Sequence, residues 1–408
     1  SNYLFAFPKK IAVLCERCAA FMLVSSLVLM LCERYGYPNV EALRLAGLIT
    51  AAGYLGSLPG GLIADRVLGH RRALLASLVF LMAAYLLLAL PTNTALWPSL
   101  TLLTIGNSLF KPSAHAVLRG LFVGGDQRLS QAQLWLHVVI NVSAVLGAVA
   151  AGVLTRNENW SLAFVFAAVM VALGLVVLVL LHRPRAPIGH DTPPTTKTTQ
   201  DANPSSWQRV KAIATLSLAM LLFNVCYGQV EGSLLLWTQQ HVERTLCGFT
   251  LPPSWFVGLP SLLVLLSSPV QLSILPRLQR TKRASRLVAY GLMATSLAFV
   301  VLLPSVSLSR VQPVSMGWIV LCHSMLVVGE TLVGTLGLAQ VLRLAPTRWV
   351  GAVMGVWFLS GAIGYWLAGE VGALLITMSP IYGLLLLAMH PLLGAWVVFR
   401  QSKGTGLK

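Results

Sequence analysis

The chain has 408 residues, of which 56% are hydrophobic and only 10% are charged, and its mean hydropathy is +0.78. A soluble domain of this length has about a quarter charged residues, so the composition excludes an ordinary soluble protein. The net charge of +17 would indicate nucleic-acid binding if the basic residues formed one surface. They instead cluster at the ends of apolar segments, which excludes that class.

Apolar runs of about 20 residues, the length that crosses a bilayer as a helix, recur along the whole chain. Strands of a membrane β-barrel are shorter and alternate in polarity, which excludes a barrel. We predict an all-α polytopic membrane protein with about twelve transmembrane helices, termed spans 1 to 12. They lie near residues 11–32, 44–66, 72–91, 95–119, 130–155, 159–181, 210–240, 254–276, 286–304, 314–342, 349–376 and 379–400.

The basic residues predict the topology. About 22 of the 29 lysines and arginines fall on the side of the membrane that holds both termini, which places the termini in the cytoplasm. No cleavable signal peptide is visible, because the first span keeps its charges and lacks a small-residue cleavage site. The predicted location is the inner (plasma) membrane of a bacterium.

One segment divides the chain. Residues 183–208 are rich in Pro, Thr and Ser and lack an apolar period, which is typical of a linker. They separate a six-helix bundle at 1–182 from a second at 209–408. Spans 2 and 8 are followed by similar basic turns, a faint internal repeat. Two similar bundles with a site between them near the bilayer midplane are typical of a secondary transporter.

Six charged residues lie inside predicted spans and away from their ends: Glu16, Arg17, Lys111, Glu231, Glu330 and Glu370. Each costs about 2.5–3.5 kcal/mol at the bilayer centre, so each is a candidate functional residue, the alternative being a static buried ion pair. Adjacent helical residues point about 100° apart, so Glu16 and Arg17 are expected to need partners on other helices. The carboxylates outnumber the cations, and a carboxylate without a cation can hold a proton in a membrane cavity.

Enzymatic and metal sites are not indicated. Cys15 and Cys18 form a CxxC sequence, but it lies within an apolar helix without the strand-to-helix context of a redox site. The chain contains neither GxSxG nor HExxH, so we predict no enzyme activity, no metal and no cofactor.

Eight segments carry motifs in a consistent order. VLCERCAAF is similar to ExxERFxxY, and GYLGSLPGGLIADRVLGHRR to the GGxxADRxxG stretch that closes a second helix. GNSLFKPSAHAVL and HVVINVSAVLGAVAAG are similar to fourth- and fifth-helix motifs, and QVEGS and LPPSWFVGLPSLLVLL to seventh- and eighth-helix motifs. GETLVGTLGLAQVLRLAP and GVWFLSGAIGYWLAG follow in the tenth and eleventh helices. Together they resemble the proton-dependent oligopeptide transporter family of the major facilitator superfamily.

This resemblance implies a carrier of di- or tripeptides or peptide-like molecules that is coupled to protons. Arg17 and Lys111 would receive the peptide carboxylate, and Glu330 with Asn141 the amino terminus. A zwitterion needs cations on one bundle and an anion on the other, which agrees with these positions. Tyr54, Trp357, Phe21 and Tyr227 complete the implied substrate-binding set. The implied proton-coupling residues are Glu16, Glu231 and Glu330, and the implied conformational motif is Gly61, Asp65, Arg66, Gly69 and Arg71. The expected partners are a small peptide, protons and the lipid bilayer, without nucleic acid, for a monomer.

The sequence departs from the family pattern in three helices. Val13 replaces the first motif glutamate, Val24 a further first-helix arginine, and Pro260 an eighth-helix asparagine. The seventh-helix acid falls near Gln229, which leaves Glu231 about 200° away around an ideal helix. Two alternatives therefore stay open: an exporter of a peptide-like metabolite or antibiotic with altered or absent proton coupling, and a transport-inactive receptor or scaffold.

Overall fold

The computed structural model describes residues 2–119, 126–156, 158–181, 206–279, 284–346 and 350–404. Eleven helices in this part of the chain are long and apolar enough to cross a membrane. Predicted span 4 is also one long helix, Leu96–Arg119. Its polar Asn107 and Lys111 and its internal Pro112 make it the least apolar of the twelve spans. The all-α prediction is therefore confirmed in its architecture.

Several spans consist of more than one helical segment. Their bounds are Asn2–Glu33 (span 1); Asn39–Leu55, Ser57–Ile63 and the π-helix Ala64–Leu68 (span 2); His70–Ala89 (span 3); Leu96–Arg119 (span 4); Asp126–Leu154 (span 5); Trp160–Leu181 (span 6); Ser206–Tyr227, the 3-10 turn Gly228–Val230 and Ser233–His241 (span 7); Ser254–Gln279 (span 8); Ala284–Val300 and Leu303–Leu308 (span 9); Gly317–Gly329, the π-helix Glu330–Leu336 and Gly337–Leu344 (span 10); Val350–Leu375 (span 11); and Pro380–Gly404 (span 12). A further 3-10 turn, Asn93–Ala95, precedes span 4.

The loops contain four two-residue strands that the sequence did not predict. Val242–Glu243 pairs in parallel with Val314–Ser315, and Thr245–Leu246 pairs antiparallel with Phe249–Thr250. Such strands are too short to show an alternating pattern, so they carry no sequence signal.

The described helices pack mainly within two sets. Span 1 packs on spans 5 and 6, and span 3 on spans 4 and 6, whereas span 9 packs on spans 10 and 12 and span 7 on spans 11 and 12. The first set comes from residues before the predicted linker and the second from residues after it. The linker itself lies outside the described residues except for 206–208, where span 7 already begins.

The two halves meet along two seams, span 2 with span 11 and span 5 with span 8. At the first seam a methyl group on Gly47 would lie 2.7 Å from Cα of Gly369, and Arg44 forms an ion pair with Glu370 at 3.0 Å. At the second, the indole N–H of Trp255 donates to the backbone oxygen of Val149 at 3.3 Å. Both seams lie toward the end of the bundle away from the chain termini, which we term the distal end.

Gly47→Ala should lower the unfolding midpoint of the purified protein, because the added methyl group meets backbone atoms of span 11 that cannot yield. Overpacking of this kind costs about 1–3 kcal/mol. Gly355→Ala is the matched control: it adds the same group to span 11, where the nearest atom outside that helix, Cδ2 of Leu58, is 3.6 Å away. Thermal unfolding in detergent measures both variants. Equal midpoints for the two variants would show that the seam is not tightly packed.

Candidate functional site

Charged side chains from four spans come together between the two halves. Glu16 and Arg17 belong to span 1, Lys111 to span 4, Glu231 to span 7 and Glu330 to span 10. Lys111 interacts electrostatically with Arg17, Glu16 and Glu231, so the charged group crosses from the first half to the second. Burial in a membrane protein strengthens such interactions because water does not screen them. These are five of the six charges that the sequence singles out.

Glu16 and Arg17 bind each other directly. Nε and Nη2 of Arg17 donate to the two carboxylate oxygens of Glu16, which is 1% exposed. The expectation that both residues need partners on other helices is therefore wrong for Glu16, because the long arginine side chain reaches its carboxylate. Arg17 also donates to Oδ1 of Asn107 at 3.1 Å and lies over the ring of Phe110 at 5.0 Å, both in span 4.

Lys111 lies against an aromatic pair that joins the halves. Its Nζ is 4.1 Å from the ring centroid of Tyr54, a cation–π contact. Tyr54 stacks on Tyr365 of span 11 with centroids 5.1 Å apart and an interplanar angle of 16°, and the two side chains are hydrogen-bonded. The ion-pair partner of Glu16 is Arg17 rather than Lys111.

Glu231 lies at a break in span 7, within electrostatic range of Lys111. The α-helix ends at Tyr227, a 3-10 turn covers Gly228–Val230, and Gly232 has irregular backbone angles of φ −116° and ψ −112°. The offset of about 200° from Gln229 assumed a regular α-helix, which ends before both residues. Gln229 is 1% exposed and donates to the backbone oxygens of Val225 and Ala368.

Glu330 is the first residue of a π-helical segment in span 10. Such segments are rare and occur often at functional sites, because they turn a side chain out of the regular helical register. The Glu330 carboxylate is hydrogen-bonded with Tyr227, whereas its Oε2 atom is buried without a hydrogen-bond partner. Tyr227 packs against Phe223 with ring centroids 5.3 Å apart.

Glu370 does not belong to this group. It pairs with Arg44 at 3.0 Å across the span 2–span 11 seam, and its side chain is 39% exposed. A partly exposed pair at the distal end has little of the cost of a buried charge. Glu370 thus lies inside a span, as predicted, but outside the charged group.

Three further predicted binding residues have local structural partners. Asn141 is buried, and its amide donates to the backbone oxygen of His137 at 2.9 Å. Phe21 is partly buried where span 1 passes Gly147 of span 5. Trp357 is 4% exposed within the core of the second half, where its ring lies beside Gly337 of span 10.

The predicted conformational motif closes span 2. Asp65 lies in the π-helix Ala64–Leu68 and forms an ion pair with His70 at 2.9 Å. Gly69 has a φ of 76°, a left-handed conformation that glycine adopts without strain, and it connects spans 2 and 3. Gly61 faces Pro112 of span 4, and Arg66 and Arg71 are exposed.

The charges of the site do not balance. Glu16 is paired with Arg17, and Lys111 interacts with Glu231, which leaves Glu330 without a cation in the described part of the chain. The site thus carries an unbalanced negative charge at Glu330, whereas the charges of Glu16, Arg17, Lys111 and Glu231 balance one another. Such a site can bind a cationic group or a proton at Glu330.

Asn107 and Tyr365 were missed by sequence reasoning. Asn107 lies four residues before Lys111 in the quoted span 4 motif, so helical spacing was a usable signal. Tyr365 had no comparable signal. The described residues contain no group of three or more His, Cys, Asp or Glu side chains suited to a metal ion.

Comparison with known proteins gives consistent matches. The family model of the Major Facilitator Superfamily matches residues 11–369. The dipeptide and tripeptide permease A of Pectobacterium carotovorum subsp. carotovorum (strain PC1) is 25% identical over 405 residues, covering 87% of this chain and 80% of the relative.

Solved structures share the fold. A crystal structure of peptide transporter POT in complex with sulfate is 22% identical with a TM-score of 0.86, covering 98% of this chain and 94% of the other. A POT family transporter in complex with 5-aminolevulinic acid is 19% identical with a TM-score of 0.87, covering 98% of this chain and 96% of the other.

Proposed function

This chain belongs to the Major Facilitator Superfamily, whose members are transporters rather than enzymes, and on that basis we propose that it carries small peptides or peptide-like molecules across the membrane by alternating access. The observation that carries the proposal is the buried Glu330 carboxylate of the second half, whose Oε2 has no hydrogen-bond partner, while Arg17 and Lys111 belong to the first half and Tyr54 interacts electrostatically with both Arg17 and Glu330. The similarity to dipeptide and tripeptide permeases supports a peptide-like substrate.

The polarity of the site supports one orientation of the substrate. The amino end binds Glu330, with Tyr227 beside it, because an ammonium group supplies the cation that Glu330 lacks. The carboxyl end faces Arg17 and Lys111. Tyr54 contributes the wall next to Lys111, and Asn141, Phe21 and Trp357 are proposed as further binding residues in their spans.

Three carboxylates are candidates for the transported proton. Glu16 and Glu231 each interact with a cation that a substrate can also contact, and Glu330 has a free oxygen. A proton on Glu16 or Glu231 would release Arg17 or Lys111 for the substrate. Exchange between a cation partner and a proton is a physical basis for proton coupling.

The contacts between the halves support alternating access. Both seams are closed at the distal end, where Arg44 pairs with Glu370 and Gly47 packs on Gly369. Rocking of the two six-helix bundles would open this end and close the other, with the span 2–span 3 motif, Asp65 to Arg71, adjusting at the opposite end. We propose a monomer in a bacterial inner membrane with both termini in the cytoplasm; the relative named above is bacterial.

Uptake of a labelled dipeptide library by proteoliposomes, with and without a pH gradient, tests the proposal. We expect uptake that a pH gradient enhances. Equal uptake under both conditions would favour an uncoupled carrier, and accumulation only when the gradient drives export would favour the exporter that the losses at Val13 and Val24 leave open. Binding without any flux would favour the receptor.

Glu16→Gln tests proton coupling. Gradient-driven uptake should be lost, because the variant cannot exchange Arg17 for a proton, while substrate counterflow, which needs no net proton movement, should survive. Glu41→Gln is the control, since it removes an exposed carboxylate that lies outside the charged group and outside the Arg44–Glu370 pair. A static ion pair predicts instead that the stranded Arg17 costs about 3–5 kcal/mol of stability. Survival of both activities, or unfolding of the variant, would exclude Glu16 as the coupling residue.

A further inference from the structure

We infer that the preferred cargo is an amine whose carboxyl end is masked, as a carboxamide or an ester, so that the bound molecule carries one positive charge and no negative one. This inference rests on the proposed function, because it concerns the same site. It assigns the charge of the substrate, which the family resemblance leaves as a zwitterion.

Arg17 is already bound by neighbouring side chains. Its Nε and Nη2 are both bound to the Glu16 carboxylate, Nη2 also donates to Asn107, and the plane of the guanidinium lies over Phe110. The charge of Arg17 is therefore already compensated within span 1. Nη1 can still donate a hydrogen bond to a ligand, and a neutral carbonyl oxygen can accept it.

Lys111 likewise has neighbours that balance its charge. Its ammonium contacts the face of Tyr54 and interacts electrostatically with the carboxylate of Glu231. Together Glu16, Arg17, Lys111 and Glu231 form a compensated cluster. A substrate carboxylate would add an anion to a cluster that is neutral overall, at the desolvation cost of a charge without its own partner.

Glu330 carries the remaining carboxylate of the site. It adds a third carboxylate to two cations, and its buried Oε2 has no partner. One positive charge on the substrate balances the site, whereas a zwitterion leaves the carboxylate excess unchanged. A monocation with hydrogen-bond acceptors at its far end matches both ends of the site.

Calorimetric titration of the purified protein in detergent, at neutral pH, where the α-amino groups of the ligands remain protonated, tests the inference. The ligands are L-alanyl-L-alanine, its C-terminal amide, and the N-acetylated amide. We expect the amide to bind about tenfold more tightly than the free acid, and the N-acetylated amide to bind weakly. A free acid that binds as tightly as the amide overturns the inference and leaves the proposed function in place. Absence of binding by all three overturns both.

Glu231→Gln should reverse the preference. Removing this carboxylate gives the cluster around Lys111 a net positive charge, so the ratio of the two dissociation constants should move about tenfold toward the free acid. Glu16→Gln should move it in the same direction, which keeps the test valid if one variant does not fold. Glu370→Gln should leave the ratio unchanged, because its ion pair lies in the distal seam. An unchanged ratio in both site variants contradicts the charge argument.

Discussion

Arg17→Ala and Lys111→Ala should each abolish transport while leaving folded, monodisperse protein. Both residues belong to the first half, whereas Glu330 belongs to the second, and we propose that they supply the donors for the carboxyl end of the substrate. Arg17 in addition links span 1 to span 4 through Asn107. Removing either cation also leaves a carboxylate, Glu16 or Glu231, without its partner in the site. Uptake by proteoliposomes and size-exclusion chromatography in detergent measure the two properties.

Arg17→Lys is the matched control for the first variant. It keeps the charge but lacks the planar guanidinium group, whose two nitrogens bind Glu16, so it should retain only part of the transport rate. Near-normal uptake by both alanine variants would contradict the assignment of Arg17 and Lys111 to the substrate site.

Glu330→Gln should weaken substrate binding about tenfold or more. The amide keeps the shape of the side chain and removes the charge, which is the loss of a charge-assisted hydrogen bond worth about 1.5–3 kcal/mol. N-acetylated substrates should bind poorly to the parent protein for the same reason. Calorimetric titration measures both effects.

Tyr227→Phe is the control for Glu330. It removes the hydrogen bond to the carboxylate and leaves the charge, so its effect should be smaller than that of Glu330→Gln. Equal affinity for free and N-acetylated substrates would count decisively against binding of the amino group by Glu330.

The membrane fold could be predicted from the sequence because its signal is additive over long segments. An apolar run of about 20 residues is independent of its neighbours, so spans as different as Trp160–Leu181 and Pro380–Gly404 were found with nearly correct ends. The charged site residues could also be identified, because a charge in such a run is expensive wherever its side chain points.

The geometry of the site could not be predicted in the same way. An ideal-helix calculation gave only the offset of Glu231 from Gln229, and it could not foresee the break in span 7 or the electrostatic contact of Glu231 with Lys111 of span 4. The π-helical position of Glu330 likewise depends on packing of span 10. Tyr365 entered the site through its contact with Tyr54, a relation between distant segments. Such features are set by tertiary contacts rather than by local sequence.

Substrate counterflow by the wild-type protein tests the central claim most directly. Proteoliposomes preloaded with an excess of unlabelled dipeptide, or of its amide, are diluted into the labelled compound, and the label inside is followed with time. We expect the labelled compound to accumulate transiently above its level in protein-free liposomes, because alternating access exchanges one substrate molecule for another without a proton gradient. Absence of accumulation for every dipeptide and amide, with protein that remains folded and monodisperse, would contradict it.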